Sequence, residues 1–226
     1  MEYPIQLNTE EFEQVLNVLL ENNRVDEIVE TGSYHGDGST LIFAQTGRYV
    51  YGIECNPEHY VISYKNLVEY TNVCMIHGLS LKREDLIKGL LNERFDLIGT
   101  NFDSPHPKTA YMMEINYQVA VENALDVFCN NNRHQLIFLD SAGGVGYLEF
   151  KEVMSWDPCN LMNKVLILDD INHIKHIRSV NNLLERGFTI GVSEEQRFAW
   201  VSFQENTNRN ILLSESIKNL KSNYYV

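Results

Sequence analysis

Glu30-Thr31-Gly32-Ser33-Tyr34-His35-Gly36 is the stretch on which the reading of this sequence turns. It follows a short apolar run, Ile28-Val29, and precedes a segment with helical character from about Ser39 to Gln45. A strand that ends in a glycine-bearing turn and passes into a helix is the unit from which α/β folds build ligand sites. Glycine lets the backbone approach a ligand closely, and the following helix presents free N–H groups. The turn is not Gly-x-Gly-x-x-Gly, because position 34 is a tyrosine. That departure counts against a dinucleotide, whose pyrophosphate needs the tighter glycine path.

Outward from the turn, strand-like and helical segments alternate, which predicts a mostly parallel sheet with helices on both faces. Asn8 and Thr9 open a helix that carries Phe12, Val15, Leu16, Leu19 and Leu20 on one face. Tyr49–Glu54 reads as the second strand, Pro57 sits in the first turn of the next helix, and Val73–Ile76 reads as the third strand. Leu136–Asp140 and Val165–Asp170 are continuous apolar runs closed by carboxylates, the pattern of strands buried on both faces. A helix over about Ile174–Glu185 is followed by Phe188-Thr189-Ile190 and Phe198–Phe203. These two read as strands joined by the polar turn Ser193–Arg197, a closing hairpin that places an antiparallel strand in the sheet. The fold class is therefore α/β and Rossmann-like, with one domain over residues 1–226.

The stretch at about 82–134 is too long for one crossover helix. It contains Asp103-Ser104-Pro105-His106-Pro107 and a predicted helix through Ile115–Phe128, and it reads either as an ordinary insertion or as a lid. The tail after Gln204 is polar, with one amphipathic patch at Ile211–Leu220.

Composition limits the partners. The 226 residues carry 18 Lys and Arg against 31 Asp and Glu, a formal net charge of −13. Without a basic run, the chain is a poor match to a phosphate backbone, so nucleic acid is not an expected partner. No apolar run approaches the ~20 residues of a membrane helix, so no membrane partner is expected. The four scattered cysteines and the absence of a signal-like N-terminus lead to the expectation of a reduced, cytoplasmic protein.

Three strand ends carry polar groups in a telling order. The glycine turn closes the first, Glu54 closes the second in position to accept hydrogen bonds from both hydroxyls of a ribose, and Ser80 follows the third, within reach of an adenine edge. Together they describe a nucleoside site. On these residues the sequence resembles the class I S-adenosylmethionine (SAM)-dependent methyltransferases, particularly the metal-dependent O-methyltransferases of the catechol and macrocin O-methyltransferase kinds. The acidic residue, Gly-x-x-x-Gly and serine of the first motif are matched by Glu30, Gly32, Gly36 and Ser39, with one extra residue before the serine. Ile53-Glu54-Cys55-Asn56-Pro57 resembles the ribose motif, and Gly78-Leu79-Ser80 the adenine-side motif. The likeness spans about 25–80 and 135–203. It implies a seven-stranded sheet with an antiparallel C-terminal strand. It further implies SAM as cofactor, with Glu30, Gly32, Ser33, Tyr34, Gly36, Ser39, Glu54, Ser80 and Asp140 as candidate contacts.

Asp140 ends the fourth strand, and Asp169 and Asp170 end the fifth, so three carboxylates are expected to converge beside the cofactor. Hard oxygen ligands of this kind suit Mg²⁺, and the resembling families place Mg²⁺ there. An ion would acidify and fix an acceptor hydroxyl for in-line attack on the methyl group. The same relatives carry a lysine or histidine three residues after the strand-four aspartate, where this chain has Gly143. The nearest replacements follow strand five: His173 first, then His176, then Lys175, with His35 and His106 more remote. The expected activity is O-methylation of a small molecule, with a sugar or glycan the acceptor that the resemblance favours. Two other readings stay open on the sequence, namely an NAD(P)-dependent oxidoreductase and a catalytically silent domain that binds partners through a nucleotide fold.

Overall fold

The computed structural model describes residues 9–92, 112–172 and 175–204. Helix α1 (Thr9–Asn22) precedes β1 (Glu27–Thr31), α2 (Ser39–Gln45), β2 (Tyr49–Glu54), α3 (Pro57–Asn66), β3 (Val73–His77) and α4 (Arg83–Asn92). After a helical turn at 112–115 come α5 (Ala124–Cys129), β4 (Gln135–Leu139), α6 (Gly144–Val153), α7 (Pro158–Leu161) and β5 (Lys164–Leu168). The described chain closes with α8 (Ile177–Glu185), β6 (Gly191–Val192) and β7 (Ala199–Ser202).

The strands form one sheet in the order β3-β2-β1-β4-β5-β7-β6. The first five pair in parallel, and β7 runs antiparallel to both β5 and β6. This is the mostly parallel seven-stranded sheet with an antiparallel closing strand that the sequence predicts.

Strand periodicity explains why both faces are covered. Ile28, Leu136, Phe138, Val165 and Ile167 point to one side, where Phe12, Leu16 and Leu19 of α1 and Phe43 of α2 meet them. Their neighbours Val29, Ile137, Leu139, Leu166 and Leu168 point to the other side, onto Leu148 and Phe150 of α6 and Val180 and Leu183 of α8. With β4 and β5 buried at every position, hydrophobic burial specifies this sheet from both sides.

Two sequence expectations need correction. Phe188–Ile190 is not a strand. Gly187, at φ +80°, turns the chain out of α8, and the Phe188 N–H closes that helix on Leu183 O at 3.0 Å. Pairing starts only at Gly191, where the Trp200 ring lies so close that a side chain has no room. The predicted helix through Ile115–Phe128 is also broken. Val121 bridges to Gly78 beside the end of β3, Ala120 N donates to His77 O, and Asn123 adopts φ +61° before α5 begins. The later part of the 82–134 stretch is thus tied into the sheet end, while residues 93–111, including His106, lie outside the described residues. Among the described residues no helix is long and apolar enough to cross a membrane.

Candidate functional site

Strand order reverses between β1 and β4, and the crevice beyond their carboxyl ends is where an open α/β sheet receives ligands. The glycine turn lies at this point. Gly32 N donates to Ile53 O at 2.9 Å, which pins the turn to the end of β2. Gly32 has φ +75°, and a Cβ there would stand 2.7 Å from the Asp140 carbonyl oxygen. Glycine is required twice over, by the backbone conformation and by the approach of β4.

Tyr34 occupies the left-handed region at φ +49°, a costly conformation for an aromatic residue. Its N–H donates to Glu54 Oε2 at 2.9 Å, and the Asn56 N–H donates to Glu54 Oε1 at 2.8 Å. Two backbone donors therefore fix the carboxylate that closes β2, and each oxygen keeps lone-pair capacity for a further donor. Burial pushes the Glu54 carboxyl up to about 7, against the lowering effect of these N–H groups. The Tyr34 ring is stacked on His35 at 3.8 Å and meets His59 edge-on at 4.4 Å, forming a partly exposed aromatic wall beside the turn.

Several residues of the first motif face inward. Glu30 is fully buried, and its two oxygens accept from the Ser39 and Thr40 hydroxyls. It braces the first turn of α2 against β1, so Glu30 and Ser39 support the turn from behind. Gly36 is likewise a packing residue, since a Cβ there would meet Leu67 Cδ1 at 2.7 Å. Ser33 N donates to Ile53 O at 3.3 Å. Ser80 is also buried, and its hydroxyl partly opposes the burial that raises the Glu149 carboxyl.

Burial raises the Glu30 carboxyl to about 7, only partly opposed by the Ser39 and Thr40 hydroxyls. An acid raised on folding binds its proton more tightly in the folded state. Its stabilising contribution is complete below about 4.5 and is lost as pH rises through about 7. Glu54 acts in the same direction. Thermal melts without ligand should therefore show stability falling across this window, with a shallower slope in Glu30→Gln, whose oxygen accepts from one hydroxyl and whose NH2 donates to the other. An unchanged slope would remove Glu30 from the account.

Sequence reading missed Glu149, a fully buried carboxyl on α6. Thr31 Oγ1 donates to Glu149 Oε2 at 2.9 Å and accepts from Asp140 N at 3.2 Å, which ties the ends of β1 and β4 to α6. The available signal was an acid flanked by Leu148 and Phe150, on the apolar side of a helix whose other charges are Lys151 and Glu152.

The structure brings the three strand-end aspartates together, with one oxygen of each of Asp140, Asp169 and Asp170 within 4.8 Å of the others. Asp170 reaches this position through a left-handed backbone at φ +52°. Two cations lie within the same group. Lys175 Nζ bonds Asp140, stands 3.1 Å from Asp170 Oδ2 and lies 3.6 Å from Asp169 Oδ2. Arg197, from the turn between β6 and β7, bonds Asp169 and Asp170 at 3.2 Å. Burial would raise Asp169, but Lys175 and Arg197 outweigh it and hold its carboxyl below the usual range. Burial pushes Asp140 well above that range, with the Lys175 charge only partly opposing it.

The donor type and spacing suit Mg²⁺; the charge does not. A divalent ion about 4 Å from the Lys175 ammonium would meet repulsion on the order of 8 kcal/mol at an effective dielectric of 20. The carboxylates also already serve as acceptors for two cationic side chains. The arrangement therefore does not fit the expected Mg²⁺.

Of the expected bases, His173 lies outside the described residues. His176 is fully buried, with Nε2 3.1 Å from Leu139 O and Nδ1 3.1 Å from Ser179 Oγ. It fastens the start of α8 to the end of β4 and does not face the crevice. Burial alone would lower Lys175, but the charges of Asp140, Asp169 and Asp170 hold it above its ordinary range, so it remains a cation and a poor base.

No family model and no curated protein matches this chain. Solved structures do match. A Staphylococcus aureus protein assigned as a caffeoyl-CoA O-methyltransferase is 17% identical, with a TM-score of 0.52 over 89% of this chain and 86% of its own. An O-methyltransferase from Bacillus cereus, solved in complex with SAH (S-adenosylhomocysteine), is 16% identical, with a TM-score of 0.50 over 89% of this chain and 84% of its own. At such identities the likeness establishes the fold, which is the Rossmann-like fold of class I methyltransferases.

Proposed function

We propose that this protein transfers the methyl group of SAM to a hydroxyl of a small molecule, with a sugar or glycan the favoured acceptor class. The observation that carries the reading is the meeting of two features at the strand-order reversal. One is a turn at Gly32 with no room for a side chain, and the other is the Glu54 carboxylate held by two backbone N–H groups. A ribose offers two adjacent hydroxyl donors to such a carboxylate, and the glycine backbone lets the methionine portion run along the end of β1. SAM supplies an electrophilic methyl group on a sulfonium.

Held by Glu54 and along the Gly32 turn, SAM would offer its methyl group to in-line attack by an acceptor oxygen, with a thioether as the leaving group. The residues of this chain align the reactants. Asp140 closes β4 beside Gly32 with its side chain 23% exposed, and it is the strand-end carboxylate that accepts the hydrogen bond, and then the proton, of the acceptor hydroxyl. The net charge of −13 favours a neutral acceptor over a nucleic acid.

Binding and catalysis are tested separately. Stabilisation by S-adenosylhomocysteine in thermal melts, with none from NAD, is expected, and stabilisation by NAD alone would overturn the reading. Glu54→Ala should weaken S-adenosylhomocysteine by roughly 10- to 100-fold, the loss of charge-assisted bonds worth about 1.5–3 kcal/mol. Radiolabelled methyl transfer to a panel of sugars and phenols then tests the activity. Cofactor binding with no transfer to any hydroxyl would favour a silent binding domain.

A further inference from the structure

We infer that the Lys175 ammonium is the resident cation of the strand-end carboxylates, standing where a divalent metal would otherwise sit and making the site independent of metal. Lys175 is a positioning residue in this role, since it acts by holding Asp140, Asp169 and Asp170.

Three observations support the assignment. The Lys175 ammonium donates hydrogen bonds to Asp140 and Asp170 and stands 3.6 Å from Asp169 Oδ2, so all three carboxylates pair with one nitrogen. Its side chain is 5% exposed, so the charge is committed to this position and does not extend from the surface. The path of its stem is also built into a neighbouring element. A Cβ on Gly146 of α6 would lie 2.7 Å from Lys175 Cγ and 3.0 Å from His176 Nε2, so the glycine leaves the space that the lysine stem fills. Arg197 adds a second cation, 3.2 Å from Asp169 Oδ2 and 3.2 Å from Asp170 Oδ1. Three carboxyl groups thus face two fixed positive charges, and a double charge has little left to neutralise.

The consequence is specific: deleting the ammonium while keeping the carboxylates should create a metal site. The test needs metal binding alone, so its failure and that of the methyltransferase reading are separate results. Mn²⁺ is titrated into the full-length protein and followed by electron paramagnetic resonance and calorimetry. The wild-type chain is expected to bind no Mn²⁺ at this site up to about millimolar concentration, and EDTA should leave its melting temperature unchanged. Lys175→Met should gain Mn²⁺ binding at least tenfold tighter than wild type, and Asp169→Asn in that background should abolish the gain. Lys175→Arg, which restores the charge, should again exclude the ion. Micromolar Mn²⁺ binding by the wild type that Asp169→Asn removes would overturn the inference, as would a folded Lys175→Met that gains nothing. Should Lys175→Met fail to fold, the wild-type titration decides the question.

Discussion

Gly32→Ala is expected to abolish stabilisation by S-adenosylhomocysteine, with affinity reduced by at least about 100-fold, a loss of roughly 2.7 kcal/mol or more. Two costs combine at this residue. The backbone is at φ +75°, where a side chain costs about 1–2 kcal/mol. The new methyl would also lie 2.7 Å from Asp140 O, 2.9 Å from Asp140 C and 3.1 Å from Ser141 Cα. All three are backbone atoms, with no flexible side-chain tip to give way. The turn must therefore move away from the end of β4, and the crevice changes shape where the cofactor is proposed to lie. Gly47→Ala is the matched control. Its φ is +72°, but nothing lies within 4 Å of the added carbon, so it should lose stability modestly and keep its affinity. Isothermal titration of both variants checks the expectation. Unchanged affinity in Gly32→Ala would place the cofactor elsewhere.

Asp169→Ala is expected to cost about 3–5 kcal/mol of folding stability, because removing one partner of a buried ionic group strands the charges that faced it. Asp169 is 2% exposed and answers both Lys175 and Arg197. Without it, Arg197 loses the buried carboxylate that its Nε and a terminal nitrogen both reach, and Lys175 is left to Asp140 and Asp170. Urea unfolding measures the loss, and added Mg²⁺ should not restore it. A variant as stable as wild type, defective only in a metal-dependent activity, would show that Asp169 serves as a ligand and not as part of an internal ion cluster.

Much of the fold was legible because burial and periodicity left little choice. The apolar runs at Leu136–Leu139 and Val165–Leu168 have no polar face, so they can only be central strands. The turn from Gly32 to Gly36 announced a ligand end of the sheet through glycines that local packing does require. The helix through Ile115–Phe128 misled because its apolar spacing also suits a segment that pairs briefly beside β3 and then restarts at Asn123. Phe188–Ile190 misled because its β-favouring residues are spent on ending α8.

The site was legible residue by residue but not in its roles. Glu30 and Ser39 could be recognised as a motif, yet only their mutual hydrogen bond shows that they brace the turn from behind. Histidine chemistry put His173 first and His176 second; His173 lies outside the described residues, and the fold buries His176 against Leu139 O. Arg197 was visible only as one residue of a polar turn.

By itself, the sequence determined the alternation of strands and helices, the glycine turn and the acidic ends of β2, β4 and β5, because these follow from local pattern and from which groups cannot be buried unpaired. Only the tertiary structure decided what neutralises those acids. Lys175 lies 35 residues from Asp140 and Arg197 lies 28 from Asp169, and no spacing rule links positions so far apart. The packing of β4, β5, α6 and the turn before β7 carries two cations into the place the sequence had given to a metal.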